Sequence, residues 1–164
     1  MTDKLVIALA QLNPTVGKIG ANLEKLRETR KKAAQEGADL LLTSELYTCG
    51  YPPEDLVRKP QFISSLRSAV EAFASETNDG GPAVLLGTPW VESDRLHNSL
   101  VLIEEGAITT ARHKYDLPNY GVFDEKRVFD PGPMPGPISF KDVRMGVPIC
   151  EDIWTPEVVE CITE

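Results

Sequence analysis

Cysteine and histidine are both scarce in this sequence of 164 residues, which has three cysteines and two histidines. Cys49, Cys150 and Cys161 form an odd set without a close pair, so neither a disulfide framework nor a cysteine-rich zinc site is expected. His97 and His113 are 16 residues apart, a separation that does not match the spacing of metal ligands. We therefore predict no metal site, and a reducing compartment is the natural environment for the free thiols.

Long apolar runs and an excess of positive charge are also lacking. No stretch approaches the roughly 20 apolar residues that a membrane helix needs. The chain enters a strand pattern close to its N-terminus, so no signal peptide is expected. The net charge of −8 argues against nucleic acid or an anionic membrane as the main partner. We expect a cytoplasmic protein with neither nucleic acid nor membrane among its partners.

The pattern of apolar residues predicts an α/β domain. Apolar runs predict strands at 5–10, 38–43, 83–87, 100–103, 108–111, 138–140 and 144–150. Helical spacing predicts two amphipathic helices, one from Ile19 to a stop near Gly37 and one from Ile63 to Phe73. The order of elements favours a mixed sheet with a parallel first pair of strands. The first run is continuously apolar, which predicts a strand buried on both faces.

A long irregular segment, residues 116–137, separates the last predicted strands from the others. It is rich in proline, glycine and polar residues. A loop of that length within a compact domain is usually functional or a linker. Because strands resume after it, we predict a functional loop.

Polar residues follow three of the predicted strands at their carboxyl ends, namely Glu45, Lys114 and Cys150. Reacting groups in α/β sheets gather just outside these ends. A free thiol is only a few per cent ionised at neutral pH, so a nucleophilic cysteine needs a base or a nearby cation. Glu45 can remove the proton, and Lys114 and the N–H groups after Cys150 can stabilise an oxyanion.

Two other interpretations stay open on these residues alone. Cys150 can be a small buried residue that closes a core strand, since free cysteine is among the most buried residue types. Histidine is the usual base for a thiol, but His113 would point to the opposite strand face from Lys114. His97 lies far in sequence from the other polar candidates, so a Cys–His hydrolase is the weaker option.

Three segments resemble the nitrilase superfamily of carbon-nitrogen hydrolases: residues 42–46 (LTSEL), 113–118 (HKYDLP) and 146–152 (GVPICED). Their order and spacing also fit that family, and the resemblance covers nearly the whole chain from Leu5 onward. It implies a Glu45–Lys114–Cys150 triad on a four-layer αββα sandwich. Residues 1–164 would then be one nitrilase-type domain, an N-terminal part truncated on its C-terminal side.

Further stretches are similar to one branch of that superfamily, the glutaminase domain of glutamine-dependent NAD synthetases. They are residues 49–56 (CGYPPEDL), 117–127 (LPNYGVFDEKR) and 150–154 (CEDIW). By this resemblance Glu45 is the general base, Lys114 the oxyanion stabiliser and Cys150 the nucleophile. The implied substrate-binding residues are Tyr51, Tyr120, Glu125, Glu151 and Trp154. The two tyrosines can equally be loop-packing aromatics, and Glu151 an ordinary exposed carboxylate.

The same resemblance implies partners and leaves rivals. It implies glutamine as substrate, a synthetase domain of the same polypeptide, and a homo-oligomer. No cofactor is expected in this segment, because ATP and magnesium would act only at the missing synthetase domain. One rival is a free-standing nitrilase-type amidase or carbamoylase acting on another small amide. Such an enzyme should lack the sequence motif of residues 119–123 (NYGVF). Another rival is an inactive fragment that serves assembly.

Overall fold

The computed structural model describes residues 4–163 of the chain, so residues 1–3 and 164 lie outside the described part. The strands are β1 (Ile7–Ala10), β2 (Leu40–Thr43), β3 (Ala83–Glu92), β4 (Arg95–Glu104), β5 (Ala107–His113), β6 (Ile138–Phe140) and β7 (Val143–Met145). The α-helices are α1 (Ile19–Gln35), α2 (Pro60–Glu76) and α3 (Pro156–Thr163). Short 3₁₀ helices cover Glu54–Arg58, Glu125–Arg127 and Cys150–Trp154.

Five strands form one mixed sheet in the order β1-β2-β3-β4-β5. The β1/β2 and β2/β3 pairs are parallel, whereas β3/β4 and β4/β5 are antiparallel. This confirms the α/β class and the parallel first pair. Because β2 and β5 run in the same direction, their carboxyl ends meet at one edge of the sheet.

The two faces of the sheet carry different layers. Helices α1 and α2 pack on one face, where Leu26 and Val70 join Leu86 and Val101 in the larger apolar core. The β6–β7 hairpin lies on the other face, with Phe140 in a second cluster of buried side chains. The described residues therefore form a helix layer, a five-stranded sheet and the two-stranded β6–β7 hairpin over the opposite face of that sheet.

Strand β1 differs from its prediction, because only one of its faces is buried. Ile7 is 45% exposed and Leu9 is 64% exposed. The second apolar cluster draws its sheet residues from β2, β3 and β4, so the β6–β7 hairpin covers these strands and leaves β1 open. A continuous apolar run identifies a strand correctly but does not show what covers each face.

Strands β3 and β4 form a single hairpin of two ten-residue strands, longer than the separate strands 83–87 and 100–103 that the sequence predicts. Ser93 and Asp94 make the two-residue turn, and both have the positive φ values of a type I′ turn. The prediction of a strand at 144–150 was also too long, since β7 ends at Met145. Ile149 is nevertheless extended.

Two glycines occupy the turns that the sequence predicts. Gly37, with φ of 73°, lies just after α1, and Gly106, with φ of 84°, lies in the turn between β4 and β5. Both are in the left-handed region that glycine adopts without steric cost. These turns set the lengths of the elements that deliver the polar residues described next.

Candidate active site

A buried lysine joins two carboxylates at the edge where β2 and β5 end. Lys114 directly follows β5, and Glu45 lies two residues after β2. The Lys114 Nζ donates to Glu45 Oε1 at 2.8 Å and to both carboxylate oxygens of Glu125 at 2.9 Å. Lys114 is fully buried. The functional loop predicted between β5 and β6 thus contributes Glu125 to the charged cluster.

Neutral donors complete the bonding of the two carboxylates. Asn98 Nδ2 donates to Glu45 Oε1 at 2.6 Å and to Glu125 Oε2 at 3.1 Å. The Tyr51 hydroxyl donates to Glu125 Oε1 at 3.1 Å. No oxygen or nitrogen donor within residues 4–163 reaches Glu45 Oε2. That oxygen is the one left to exchange a proton.

Cys150 has a strained backbone at the start of its 3₁₀ turn. Its φ is +48°, in the left-handed region, which costs a non-glycine residue about 1–3 kcal/mol. Its side chain is exposed, unlike that of Cys49, which is fully buried. The extended residue Ile149, followed by a tight turn at the thiol, gives the local geometry of a nucleophile elbow.

The thiol and the Glu45 carboxylate share one cleft of about 260 Å³. This volume lies just under the lower end, about 300 Å³, of pockets for drug-sized ligands, so the cleft suits a small substrate. Its lining includes Glu45, Leu85, Gly87, Pro148, Ile149 and Cys150. Apolar walls on one side and a carboxylate on the other fit a short polar molecule.

The charges of the cluster act on the thiol directly. Burial raises the pKa of Cys150, the negative charge of Glu45 raises it further, and the positive charge of Lys114 opposes both. A thiol with a raised pKa is mostly protonated at neutral pH, so it reacts only when a neighbouring base takes its proton. Glu45 is the nearest carboxylate that acts on this thiol. Burial also raises the pKa of Cys49, to about 12, which makes that thiol inert.

The pKa values of the buried cluster reflect its mixed charges. Burial acts to lower the pKa of Lys114, but the carboxylates of Glu45 and Glu125 outweigh it and the pKa is raised. Burial and the charge of Glu45 raise the pKa of Glu125, against the hydrogen bonds from Lys114 and Asn98. Lys114 therefore remains a cation, while Glu125 takes up a proton more readily than an exposed carboxylate.

Asp152 joins the loop after β5 to the turn that carries the thiol. It is fully buried, and its Oδ1 accepts from the backbone N–H of Tyr115 at 3.0 Å and of Asp116 at 2.9 Å. Its Oδ2 accepts from the N–H of Ile149 at 3.1 Å and from Arg112 Nη2 at 3.3 Å. Four donors thus converge on one carboxylate.

Arg112 extends the same connection. It donates to the carbonyl oxygen of His113 at 2.6 Å and to that of Val147 at 3.1 Å. These contacts lie next to Lys114 on one side and close to Cys150 on the other. The Arg112–Asp152 ion pair therefore fixes the distance between the two loops that carry the reacting groups.

The remaining predicted residues lie nearer the surface. The Tyr120 hydroxyl donates to both oxygens of Glu151, at 3.0 and 2.9 Å, and Tyr120 is 58% exposed. Trp154 is 77% exposed. Tyr51 contacts Glu125 rather than the cleft. A substrate-binding role for these residues stays a prediction.

Neither histidine bonds to the thiol. His113 Nδ1 is 2.7 Å from Ser99 Oγ and its Nε2 is 3.1 Å from Glu92, while its ring stacks on His97 at 4.2 Å. This cluster lies on the opposite strand face from the Lys114 side chain. In the described part of the chain, no group of three or more His, Cys, Asp or Glu side chains is arranged to hold a metal ion, and no helix is long and apolar enough to cross a membrane.

A strained cysteine, a carboxylate with a free oxygen and a buried lysine gather where β2 and β5 end, which is the arrangement that the resemblance to carbon-nitrogen hydrolases implies. The chain belongs to the carbon-nitrogen hydrolase family, whose profile matches residues 6–162. This confirms the nitrilase-type resemblance read from the sequence.

Similar proteins align with nearly the whole length of this chain. A glutamine-dependent NAD(+) synthetase of Rhodobacter capsulatus is 41% identical over 158 residues, covering 96% of this chain and 28% of that protein. One from Thermotoga maritima is 42% identical, covering 93% of this chain and 26% of that protein. This chain therefore spans little more than a quarter of the length of these relatives.

Solved structures confirm the fold. The glutamine-dependent NAD+ synthetase of Acinetobacter baumannii, in complex with ADP, is 35% identical with a TM-score of 0.87, covering 94% of this chain and 29% of that one. An amidase from Nesterenkonia sp. is 26% identical with a TM-score of 0.80, covering 96% of this chain and 59% of that one. The predicted nitrilase-type α/β fold is thus the fold of both neighbours.

Proposed function

We propose that this chain is the glutamine-hydrolysing part of a glutamine-dependent NAD synthetase. The observation that carries the proposal is the cleft of about 260 Å³ that Glu45 and the strained Cys150 line together, with the buried Lys114 bonded to Glu45. Sequence identity of 41% and 42% to two such synthetases supports glutamine as the substrate.

The first half of the reaction forms a thioester. Sγ of Cys150 attacks the carbon of the glutamine side-chain amide while its proton passes to Glu45 Oε2. The charge of Lys114 and the N–H of Glu151, at the start of the 3₁₀ turn, stabilise the oxyanion that develops on the amide oxygen. The C–N bond then breaks, the nitrogen takes the proton from Glu45, and ammonia leaves.

The second half restores the enzyme. Glu45 removes a proton from water, which attacks the thioester carbon. The C–S bond breaks, glutamate leaves, and the proton on Glu45 returns to the sulfur. Glutamine and water thus become glutamate and ammonia, and Cys150 is unchanged.

In the same proposal, the ammonia passes to a synthetase domain of the same polypeptide. That domain amidates an adenylated nicotinic acid dinucleotide at the expense of ATP. ATP and magnesium act at that domain, so this segment needs no cofactor of its own. Free thiols at Cys49, Cys150 and Cys161 suit the cytoplasm, and the open face of β1 suits a homo-oligomer.

A second candidate is an amidase that acts on another small amide. The Nesterenkonia neighbour favours it, because a structure of one of its variants shows acrylamide added at the active site cysteine. Both candidates use the same thiol and differ in substrate. Parallel assays with glutamine and with propionamide separate them, since the leading proposal predicts faster release of ammonia from glutamine.

Ammonia release from L-glutamine tests the leading proposal. Cys150→Ala should abolish it, because no other group supplies the covalent step. Cys161→Ala is the matched control, since that half-buried thiol lies on α3 and should be dispensable. Retention of glutamine hydrolysis by Cys150→Ala would refute the assignment of the nucleophile.

A further inference from the structure

Building on the proposed function, we propose that Asn98 is a positioning residue, whose amide holds Glu45 so that one carboxylate oxygen stays free for the proton of Cys150. Asn98 lies on β4 and is fully buried. Its side-chain hydrogen bonds go to the two carboxylates, and it is not among the residues that line the cleft, so it acts through the carboxylates.

The amide of Asn98 bridges the two acids of the cluster. Its Nδ2 gives one N–H to Glu45 Oε1 and the other to Glu125 Oε2, at 2.6 and 3.1 Å. Both N–H groups are therefore used, one on each carboxylate. The bond to Oε1 fixes the rotation of the Glu45 carboxylate, which leaves Oε2 as the oxygen without an N–H or O–H donor.

The backbone of Asn98 fixes the third member of the cluster. Its carbonyl oxygen accepts the backbone N–H of Lys114 at 2.8 Å. One residue of β4 thus holds the main chain of Lys114 and the side chains of Glu45 and Glu125 in a single frame.

The carbonyl oxygen of the Asn98 side chain shows that this site is not optimised for stability. Asn98 Oδ1 is buried and has no hydrogen-bond partner among the described residues. An unpaired buried carbonyl oxygen is unfavourable, and an apolar side chain of similar size would avoid it. The contribution of Asn98 therefore lies in its two N–H groups.

The charge balance of the cluster explains why a neutral donor suits this position. Two carboxylates, Glu45 and Glu125, share one cation, Lys114, and the hydroxyl of Tyr51 and the thiol of Cys150 complete the titratable groups around them. A second cation would hold Glu45 firmly ionised and weaken it as a base. An amide orients the carboxylates without adding charge, and its hydrogen bonds favour their ionised forms.

The test is the pH dependence of Cys150 alkylation by iodoacetamide, followed by mass spectrometry of the Cys150 peptide from pH 5 to 9. Asn98→Leu removes both N–H groups at similar volume. It should move the midpoint of the acidic limb up by about one pH unit and slow labelling at pH 6 roughly tenfold, since a hydrogen bond to an ionised group is lost. Thr77→Val is the matched control, because it removes another buried hydrogen-bonding group, whose partners are the carbonyl oxygen of Ala74 and the N–H of Gly106 and which does not line the cleft.

Each outcome decides the proposal. An unchanged midpoint in a folded Asn98→Leu or Asn98→Ala variant would overturn it, as would an equal shift in Thr77→Val. Failure of both Asn98 variants to fold would assign Asn98 a structural role and would also overturn it. Ammonia release from glutamine by the unaltered protein tests the proposed function separately. If the protein releases no ammonia but Asn98→Leu still shifts the midpoint of the acidic limb, only the proposed function is refuted.

Discussion

Replacing Asp152 with asparagine should destabilise the protein far more than the change of one atom suggests. The carboxylate accepts four hydrogen bonds, including one from Arg112, whose side chain is 5% exposed. An asparagine amide can still accept on one side, but its NH₂ would face the donors of Ile149 and Arg112. Arg112 would then be a buried cation without a carboxylate partner, bonded only to the carbonyl oxygens of His113 and Val147.

The expected magnitude follows from burial. Removing one partner of a buried ion pair costs about 3–5 kcal/mol, whereas the free energy of unfolding of a typical domain is about 5–15 kcal/mol. Burial already acts to lower the pKa of Arg112, and the charge of Asp152 opposes that effect. Asp152→Asn should therefore remove a large share of the stability.

Glu71→Gln is the matched control, because it makes the same change of carboxylate to amide in an exposed pair. Glu71 bonds to Arg67 within α2 at a spacing of four residues. Such a pair is worth about 0.3–0.5 kcal/mol. The assay is urea unfolding of both variants followed by circular dichroism. Equal losses for the two variants would refute the idea that the buried pair connects the loops of Lys114 and Cys150.

Three other perturbations have defined outcomes. Burial lowers the pKa of His113, so the stabilising contribution of the neutral ring is present above the unfolded-state pKa of about 6.5 and is lost as the pH falls below that value. His113→Gln should therefore flatten the fall in melting temperature between pH 7.5 and 5.5. An unchanged slope would contradict this. Leu9→Thr should reduce self-association in sedimentation, because Leu9 is 64% exposed on β1; an unchanged mass would count against that face. A methyl group on Gly87 would lie 2.2 Å from the carbonyl oxygen of Ser44, so Gly87→Ala should displace the Glu45 loop and slow Cys150 alkylation. Gly136 has open space around it, so Gly136→Ala should leave the alkylation rate unchanged. Equal alkylation rates in the two variants would show that the loop adapts.

The positions of the three residues of the proposed triad were predictable because these residues stand at the ends of apolar runs. Glu45 and Lys114 follow β2 and β5, and the rule that reacting groups gather at the carboxyl ends of strands brings these two together without any knowledge of side-chain geometry. Cys150 follows the extended residue Ile149 and begins a 3₁₀ turn, so its place was predictable although β7 itself is short. The membership of Glu125 in the cluster came only from the resemblance, since its loop has no periodic pattern.

The supporting residues were not predictable for identifiable reasons. Asn98 lies within a polar interruption of β4, so the apolar pattern predicts a strand that begins only at Leu100. Arg112 and Asp152 are 40 residues apart, and no local pattern pairs them. The exposed side of β1 was missed because apolar composition predicts a strand but not the layer that covers it.

Covalent labelling by a diazoketone analogue of glutamine, located by peptide mass spectrometry, tests the central claim most directly. That claim is that Cys150 is the nucleophile of a glutamine-hydrolysing site. The account predicts one adduct on Cys150, slowed by added glutamine, with Cys49 and Cys161 left unmodified. Equal labelling of all three thiols, or labelling of Cys150 that glutamine does not slow, would contradict it.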